Sequence, residues 1–234
     1  MARFSIAFPA FLMLAATAVA ALGIIEGWIR VPPNWLPWGA PDLNAKPGWF
    51  ARIQINGLAA DRGACLDVLS RADLDFAPVP DRRVDDRCGF ENVVRETRMP
   101  VAFDIPATAT CSLVAALYWY EAALEAAAAR DLGARLTRID QLGTFACRNI
   151  NSEMVGRRSE HATANAIDIA AFHMSDGRTA TVAADWGKPT PAGCFLKDAH
   201  DAACGLFNVV LGPDYNRLHA NHFHLDLGRY RACR

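Results

Sequence analysis

The segment NAIDIAAFH, residues 165–173, carries the alternation that decides the fold of this chain. Ile167 and Ile169 fall on one side of an extended backbone, because successive side chains of a β-strand point to opposite faces. Asp168 falls on the other side, between two alanines. We therefore predict a strand whose apolar face packs on the core and whose opposite face presents one carboxylate with space around it.

The segment NHFHLDL, residues 221–227, has the same period with histidines on the polar face. His222, His224 and Asp226 share that face, and every residue that alternates with them is phenylalanine or leucine. If the two strands pair, Asp168 and His224 converge on one point, and a residue from a neighbouring loop can reach the same point.

His161, in the loop before the first strand, is the candidate for that third group. Two imidazoles and one carboxylate suit zinc and leave a fourth coordination position open for water. The alternative is that the histidines are surface residues on a half-exposed strand, which is the better interpretation of an isolated HxH pattern. The second segment with matched spacing reverses that preference, so we predict Zn²⁺ bound by His161, Asp168 and His224.

The remaining sequence predicts helices around a small sheet. The clearest helix runs from about Cys111 to Leu132, with apolar side chains recurring at every third or fourth position. Shorter helices are expected over residues 62–72 and 191–211, and further strands over residues 76–79, 91–96, 136–141 and 179–184. The predicted fold class is α+β, with a small, largely antiparallel sheet flanked by helices.

The N-terminal part predicts export. Residues 4–25 contain no charge and are long enough to span a bilayer as a helix, so residues 1–30 are predicted to be a transmembrane anchor in the inner membrane. Tryptophans at 28, 35 and 38 fit the far membrane interface. The alternative is a cleaved signal peptide, because Ala18-Val19-Ala20 offers a small-residue cleavage site. Residues 31–48 contain five prolines and predict a Pro-rich linker, which leaves residues 49–234 as the folded domain.

The cysteines agree with export, because all of them follow the apolar segment and none forms a CxxC pair. Disulfides are expected in an oxidising compartment. Pairing by nearest order would join Cys65 with Cys88, Cys111 with Cys147 and Cys194 with Cys204, and would leave Cys233 over. The alternative is that some of them are buried thiols.

Charge and motifs exclude other classes. The net charge is −1 and no long basic run is present, so nucleic acid is not an expected partner. Neither GxGxxG nor GxxxxGK[ST] occurs, so the sequence offers no nucleotide-binding motif.

Two resemblances add to this interpretation. SEHATANAID at residues 159–168 resembles the SxHxxGxAxD signature of the zinc peptidases that include D-alanyl-D-alanine carboxypeptidases and penicillin-insensitive murein endopeptidases. The wider run, from CRNI at Cys147 through LGPDYN to HFHLDLG, resembles the bacterial extensin-like C-terminal domain family over most of residues 50–234. These resemblances imply a zinc-peptidase-like fold.

The resemblances also imply roles for particular residues. His161, Asp168 and His224 would be the metal ligands, His222 would be a general base or transition-state donor beside the metal, and His219 would join the site. Arg148 is a candidate for binding a substrate carboxylate or oxyanion, with a plain surface arginine as the alternative. Two departures from the zinc-peptidase pattern concern its glycine, which is Ala164 here, and its ExxH glutamate, which is replaced by Asn221.

The expected function is a zinc-dependent hydrolase, a peptidase or amidase acting on peptidoglycan or other cell-wall peptides in the periplasm. In this hypothesis zinc polarises an amide carbonyl while His222 handles the proton. One alternative is a non-catalytic, metal-stabilised module that binds the cell wall. Another is a purely structural domain whose histidines are incidental.

Overall fold

The computed structural model describes residues 7–234 and shows a mixed α+β protein. Within these residues there are six α-helices: α1 (Ala7–Ile25), α2 (Ala51–Leu58), α3 (Arg62–Ser70), α4 (Cys111–Asp131), α5 (Val182–Asp185) and α6 (Pro191–Leu206). The strands in the same range are β1 (Asp75–Pro78), β2 (Arg82–Asp85), β3 (Cys88–Phe90), β4 (Val93–Arg98), β5 (Ala102–Phe103), β6 (Thr108–Thr110), β7 (Leu136–Gly143), β8 (Ala166–Met174), β9 (Thr179–Thr181), β10 (Val209–Leu211), β11 (Phe223–Asp226) and β12 (Ala232–Cys233).

The largest sheet has seven strands in the order β12-β10-β11-β8-β7-β5, with β9 also paired to β8. Its pairs are antiparallel except β5 with β7 and β10 with β12. A three-stranded sheet, β1-β4-β6, and the hairpin β2–β3 complete the strands. The predicted α+β class with largely antiparallel pairing is confirmed.

Helix α4 forms the centre of the core rather than one wall of it. Leu113, Leu117 and Leu124 on the predicted apolar face are at most 1% exposed, and Trp119, which lies off that face, is equally buried. The helix packs on α6, where the Tyr120 hydroxyl donates to the Ala199 carbonyl at 3.0 Å. The apolar faces of β8 and β11 face the same core, as their alternation predicted.

The predicted helix over 191–211 is too long by about one turn. Helix α6 ends at Leu206, and the residues that follow leave it to pair with β11: Asn208 N–H donates to the Asp226 carbonyl, and residues 209–211 form β10. The apolar run Val209-Val210-Leu211 suits a strand as well as a helix, so composition alone did not mark the boundary.

The N-terminal helix is present from Ala7 to Ile25. Within residues 7–234 no helix combines the length and apolar character that crossing a membrane requires. The start of the apolar run, at residues 4–6, lies outside the described residues, so the anchor stays an expectation.

The segment predicted as a linker is folded against the domain. The Asn34 side chain is buried and bonds main-chain groups of Asp42 and Lys46. The Trp119 indole N–H donates to the Ala45 carbonyl at 3.0 Å, which ties the segment to α4.

Three disulfides are formed, but the predicted pairing is wrong. The bonds are Cys65–Cys111, Cys88–Cys147 and Cys204–Cys233, and Cys194 is unpaired and exposed. Cys194 and Cys204 lie on one helix, where ten residues span about 15 Å, well beyond the roughly 7 Å limit between bridged Cα atoms. Cys65–Cys111 joins α3 to the start of α4, which pack together, and Cys204–Cys233 joins α6 to β12, the strand that pairs with β10.

Candidate metal centre

Asp168 and His224 face each other across the centre of the main sheet. Strands β8 and β11 run antiparallel, and His224 is the direct partner of Asp168 in their register. Ile167, Ile169 and Leu225 on the opposite side are fully buried in the core. The predicted convergence of Asp168 and His224 is therefore observed, and it follows from the period of two in both strands.

His161 reaches the same point from a short turn. The turn Glu160–Thr163 is a 3₁₀ helix whose N-cap, Ser159, accepts a hydrogen bond from the His161 backbone N–H at 3.4 Å. Ala164 ends the turn at φ 55°, in the left-handed region that favours glycine. The position where the resembling signature has glycine does need a positive φ, and this chain places a buried alanine there.

Three ligand-type atoms form a small triangle. His161 Nε2 lies 3.1 Å from Asp168 Oδ1 and 3.2 Å from His224 Nδ1, and His224 Nδ1 lies 2.8 Å from Asp168 Oδ1. All three residues are buried, at 2%, 7% and 7% exposure for His161, Asp168 and His224.

The far side of each imidazole is held by an acceptor. His161 Nδ1 lies 3.3 Å from the Thr144 carbonyl, which can only accept, so Nδ1 carries the hydrogen. His224 Nε2 lies 3.0 Å from Asp226 Oδ2, and Asp226 is fixed in turn by the Gly228 N–H at 2.8 Å. When both rings are neutral, the unprotonated nitrogens, His161 Nε2 and His224 Nδ1, therefore lie toward each other and toward Asp168, which is the orientation that partners behind metal-binding histidines provide.

This donor set fits a divalent metal ion. Three acceptors in contact repel one another unless a positive charge lies among them. In a tetrahedral zinc site with bonds of about 2.1 Å, ligand atoms lie about 3.4 Å apart. The observed separations are slightly shorter, so a small outward movement of the side chains would accommodate the ion. His161, Asp168 and His224 are one of two groups in residues 7–234 whose ligand atoms lie this close together.

The second group, His200 with Cys204 and Cys233, does not offer a comparable donor set. Its two sulfurs are joined in a disulfide, so neither is available as a thiolate ligand.

The ionisation of Asp168 and that of His224 depend on each other. Burial disfavours ionisation of Asp168, but hydrogen bonds from His161 and His224 outweigh it and hold the pKa of this carboxyl well below its usual range. Burial likewise opposes the charged form of His224, and hydrogen bonds to Asp168 and Asp226 overcome it and raise the pKa of His224 to about 9. A proton on His224 and a metal ion would compete for the same place.

His222 and His219 lie beside the triangle. His222 Nδ1 is 2.9 Å from the Asn221 side-chain oxygen, and its Nε2 is 3.6 Å from Asp168 Oδ1. His219 Nδ1 is 2.8 Å from the Asn216 side-chain oxygen. Burial lowers the pKa of both rings, to about 4 for His219, where the neighbouring histidines add to the effect.

Arg148 closes the group from the other side. Its guanidinium lies 3.3 Å from Asp168 Oδ2, so the two carboxylate oxygens have separate partners. Its side chain is 39% exposed, which leaves donors free to face the solvent.

A cleft of about 230 Å³ opens over these residues. Arg148, His219, His222 and His224 line it, with Tyr215 among the apolar parts of its wall. A larger open groove of about 740 Å³ is lined mainly by the hairpin β2–β3 and neighbouring turns, and none of the predicted site residues lines it.

The family model described as "Extensin-like protein C-terminus" matches residues 63–234. The chain belongs to the extensin-like C-terminal family. No curated protein and no solved structure matches it.

The extensin-like domain brings all six predicted site residues together, although sequence reasoning missed several of the groups that orient them. The carbonyl of Thr144 carries no side-chain signal, so no motif could have revealed it. Asn216 and Asn221 precede His219 and His222 by three residues and one residue, and a search for amides next to the histidines would have found them. Arg157 stacks on the Tyr230 ring at 4.0 Å at the edge of the cleft and was also missed.

Proposed function

We propose that the extensin-like domain is a zinc-dependent hydrolase, a peptidase or amidase acting on cell-wall peptides outside the cytoplasm. One observation carries the proposal: the ligand-type atoms of two histidines and one aspartate converge within 3.2 Å of one another, and His224 of this set lines an open cleft. We also propose that the domain is related to the zinc D-alanyl-D-alanine carboxypeptidase and murein endopeptidase group, because residues 159–168 resemble the signature of those enzymes.

His161, Asp168 and His224 would hold the ion. Zinc bound by three protein ligands supplies Lewis acidity toward a carbonyl and lowers the pKa of water. Asp226 and the Thr144 carbonyl keep the two imidazoles in the required tautomers.

His222 is the group placed to handle a proton. Its Nδ1 bonds the Asn221 side chain, and its Nε2 faces Asp168 from within the cleft. His219 lies next to it, with ring centroids 5.2 Å apart. Arg148 can bind a substrate carboxylate or an oxyanion, because its guanidinium borders the cleft and is only partly engaged.

A second candidate function is a metal-stabilised module that binds the cell wall without turnover. The lack of a free carboxylate base in the described part of the cleft favours this binding function. Among the described residues that line the cleft, only Glu160 and Asp226 are acidic, and both already make hydrogen bonds. Glu160 accepts a bond from Asn165, and Asp226 bonds His224 and Gly228. No free carboxylate therefore faces the cleft as a general base.

We propose a periplasmic location, with the N-terminal helix as an inner-membrane anchor and secretion after cleavage as the alternative. The three disulfides support an oxidising compartment. The proposed partners are peptidoglycan or a cell-wall peptide and the inner membrane, and nucleic acid is not proposed.

The test combines metal content with turnover. Purified protein should contain about one zinc per chain by elemental analysis, and His161→Ala should lose it. Muropeptides should be cleaved by the wild type and not by His222→Ala. His173→Ala is the matched control, because this histidine lies at the far end of β8 from Asp168 and bonds Asp140 of β7. Zinc without cleavage would select the binding module, and unchanged metal content in His161→Ala would refute both functions.

A further inference from the structure

Four of the six tryptophans lie within residues 28–49, and all four are exposed. Trp28, Trp35, Trp38 and Trp49 are 83%, 70%, 67% and 100% exposed, and Ile53 beside them is 55% exposed. We call residues 28–53 the tryptophan cap. Water-exposed tryptophan is costly, so a cluster of this kind marks an interaction surface.

The cap is a folded unit. The Gln54 side-chain amide donates to the carbonyls of Pro33, Leu36 and Gly39, at 2.8, 2.8 and 3.2 Å. Gln54 is itself buried on α2. The loop that carries Trp35 and Trp38 is therefore held on the domain, and its tryptophans are not on a free tail.

Two close backbone approaches bring together the chain segments next to three of the tryptophans. A Cβ on Gly48 would lie 1.9 Å from the Asn34 carbonyl oxygen, so the residues before Trp49 and Trp35 are in contact. A Cβ on Gly39 would lie 2.5 Å from the Pro33 oxygen, which brings the chain after Trp38 back to the start of the loop. The backbone segments that carry Trp35, Trp38 and Trp49 therefore lie close together.

The cap follows directly on an apolar helix that makes few contacts of its own. Large side chains along α1 are exposed, among them Phe11 and Met13, at 67% and 71%. Ile29 N–H donates to the Gly23 carbonyl, so the chain turns back on the end of α1 before entering the cap. A surface that covers the exposed apolar side chains of α1 would therefore lie next to the tryptophan cap.

We propose that the tryptophan cap docks the domain on the headgroup region of a phospholipid bilayer. Tryptophan suits this layer because its ring is apolar while its N–H needs a polar partner. Exposed Arg30 and Lys46 within the cap add attraction to anionic headgroups. A protein or glycan partner would explain the tryptophans but not their continuity with the apolar helix. This surface would set how the domain stands on the membrane, and it does not depend on the proposed hydrolysis.

The test uses the full chain in vesicles of phosphatidylethanolamine and phosphatidylglycerol. Tryptophan fluorescence is quenched from the bilayer by brominated phospholipids and from water by iodide. The triple variant Trp35→Ser, Trp38→Ser, Trp49→Ser removes three of the four exposed tryptophans. The expected result is loss of most of the bromolipid quenching in this variant and protection of the wild type from iodide.

The matched control is Met154→Ser with Val155→Ser, because these exposed apolar residues lie outside the cap. The control should behave as the wild type. Hydroxyl-radical footprinting of the unaltered chain should show vesicle-dependent protection of the cap, which covers the case of a variant that fails to fold. Equal bromolipid quenching in wild type and triple variant, or protection from iodide by N-acetylglucosamine oligosaccharides but not by vesicles, would overturn the proposal.

Discussion

Asp168→Asn tests the proposed metal centre most directly, because the carboxylate of Asp168 contacts both candidate ligand histidines and Arg148. Its Oδ1 lies 3.1 Å from His161 Nε2 and 2.8 Å from His224 Nδ1, while its Oδ2 lies 3.3 Å from Arg148. Asparagine has nearly the same shape, so the substitution removes the charge and leaves the packing in place.

The expected size of the effect follows from ligand linkage. A ligand that binds only the folded state, at about one hundred times its Kd, adds about 2.7 kcal/mol to the free energy of unfolding. In a domain of this size each kcal/mol raises Tm by about 2–4 °C. Zinc at that excess should therefore raise the Tm of the wild type by about 5–11 °C. Asp168→Asn should lose most of this shift, because a neutral amide is a poor zinc ligand.

A second effect is expected when zinc is chelated. Hydrogen bonds to a buried charged group contribute about 1.5–3 kcal/mol each. The variant should then be less stable than the wild type by about 2 kcal/mol. This value is lower than the summed contribution of the two histidine hydrogen bonds, because the amide oxygen of asparagine can still accept one of them. The stability of the variant should depend little on whether zinc or a chelator is added.

The assay is differential scanning calorimetry of both proteins with a chelator and with excess zinc. Asp140→Asn serves as the control, because Asp140 bonds His173 at 2.6 Å outside the cleft and should leave the zinc shift intact. A zinc shift of equal size in the wild type and in Asp168→Asn would refute the reasoning, as would its absence from the wild type.

Three further predictions concern the scaffold. Ala164→Gly should change the free energy of unfolding by less than about 1 kcal/mol, because relief of about 1 kcal/mol of left-handed strain offsets the loss of about 0.8 kcal/mol from a buried methyl group. Ala164→Val should instead cost about 2 kcal/mol or more, because a branched side chain fits the left-handed region poorly. Urea denaturation measures both changes. Burial raises the pKa of Glu121 well above its usual range, so this carboxyl lowers the stability of the protein once the pH exceeds the pKa that Glu121 has in the unfolded chain. Glu121→Gln, which can still accept the hydrogen bond from Val101 N–H, should therefore stabilise the protein at neutral pH and much less in acid. Urea midpoints measured across the pH range test this. Replacing both Cys88 and Cys147 by serine opens a loop closed across 59 residues and should cost about 4 kcal/mol, and an unchanged urea midpoint would contradict this.

Long periodic segments were predictable because their pattern is local. Helix α4 was expected from about Cys111 to Leu132 and is observed from Cys111 to Asp131. The polar faces of β8 and β11 were assigned correctly, since alternation in an extended chain determines which side chains share a face. Short strands such as β5 and β12 were missed, because two residues carry no period.

Pairings between distant segments were not predictable in the same way. The disulfides follow helix packing and strand order, and pairing the cysteines by sequence order failed for all three bonds. The supposed linker is ordered by the side chains of Asn34 and Gln54, polar residues that composition assigns to the surface.

Sequence alone determined which residues could form the candidate metal centre, because the period of two in a strand puts Asp168 on one polar face and His224 on another. Tertiary structure decided that these faces meet, that the turn at Ala164 delivers His161 to them, and that the Thr144 carbonyl orients its ring. The physical reason is that side-chain direction is a property of a few neighbouring residues, whereas a contact between segments depends on the path of all the chain between them.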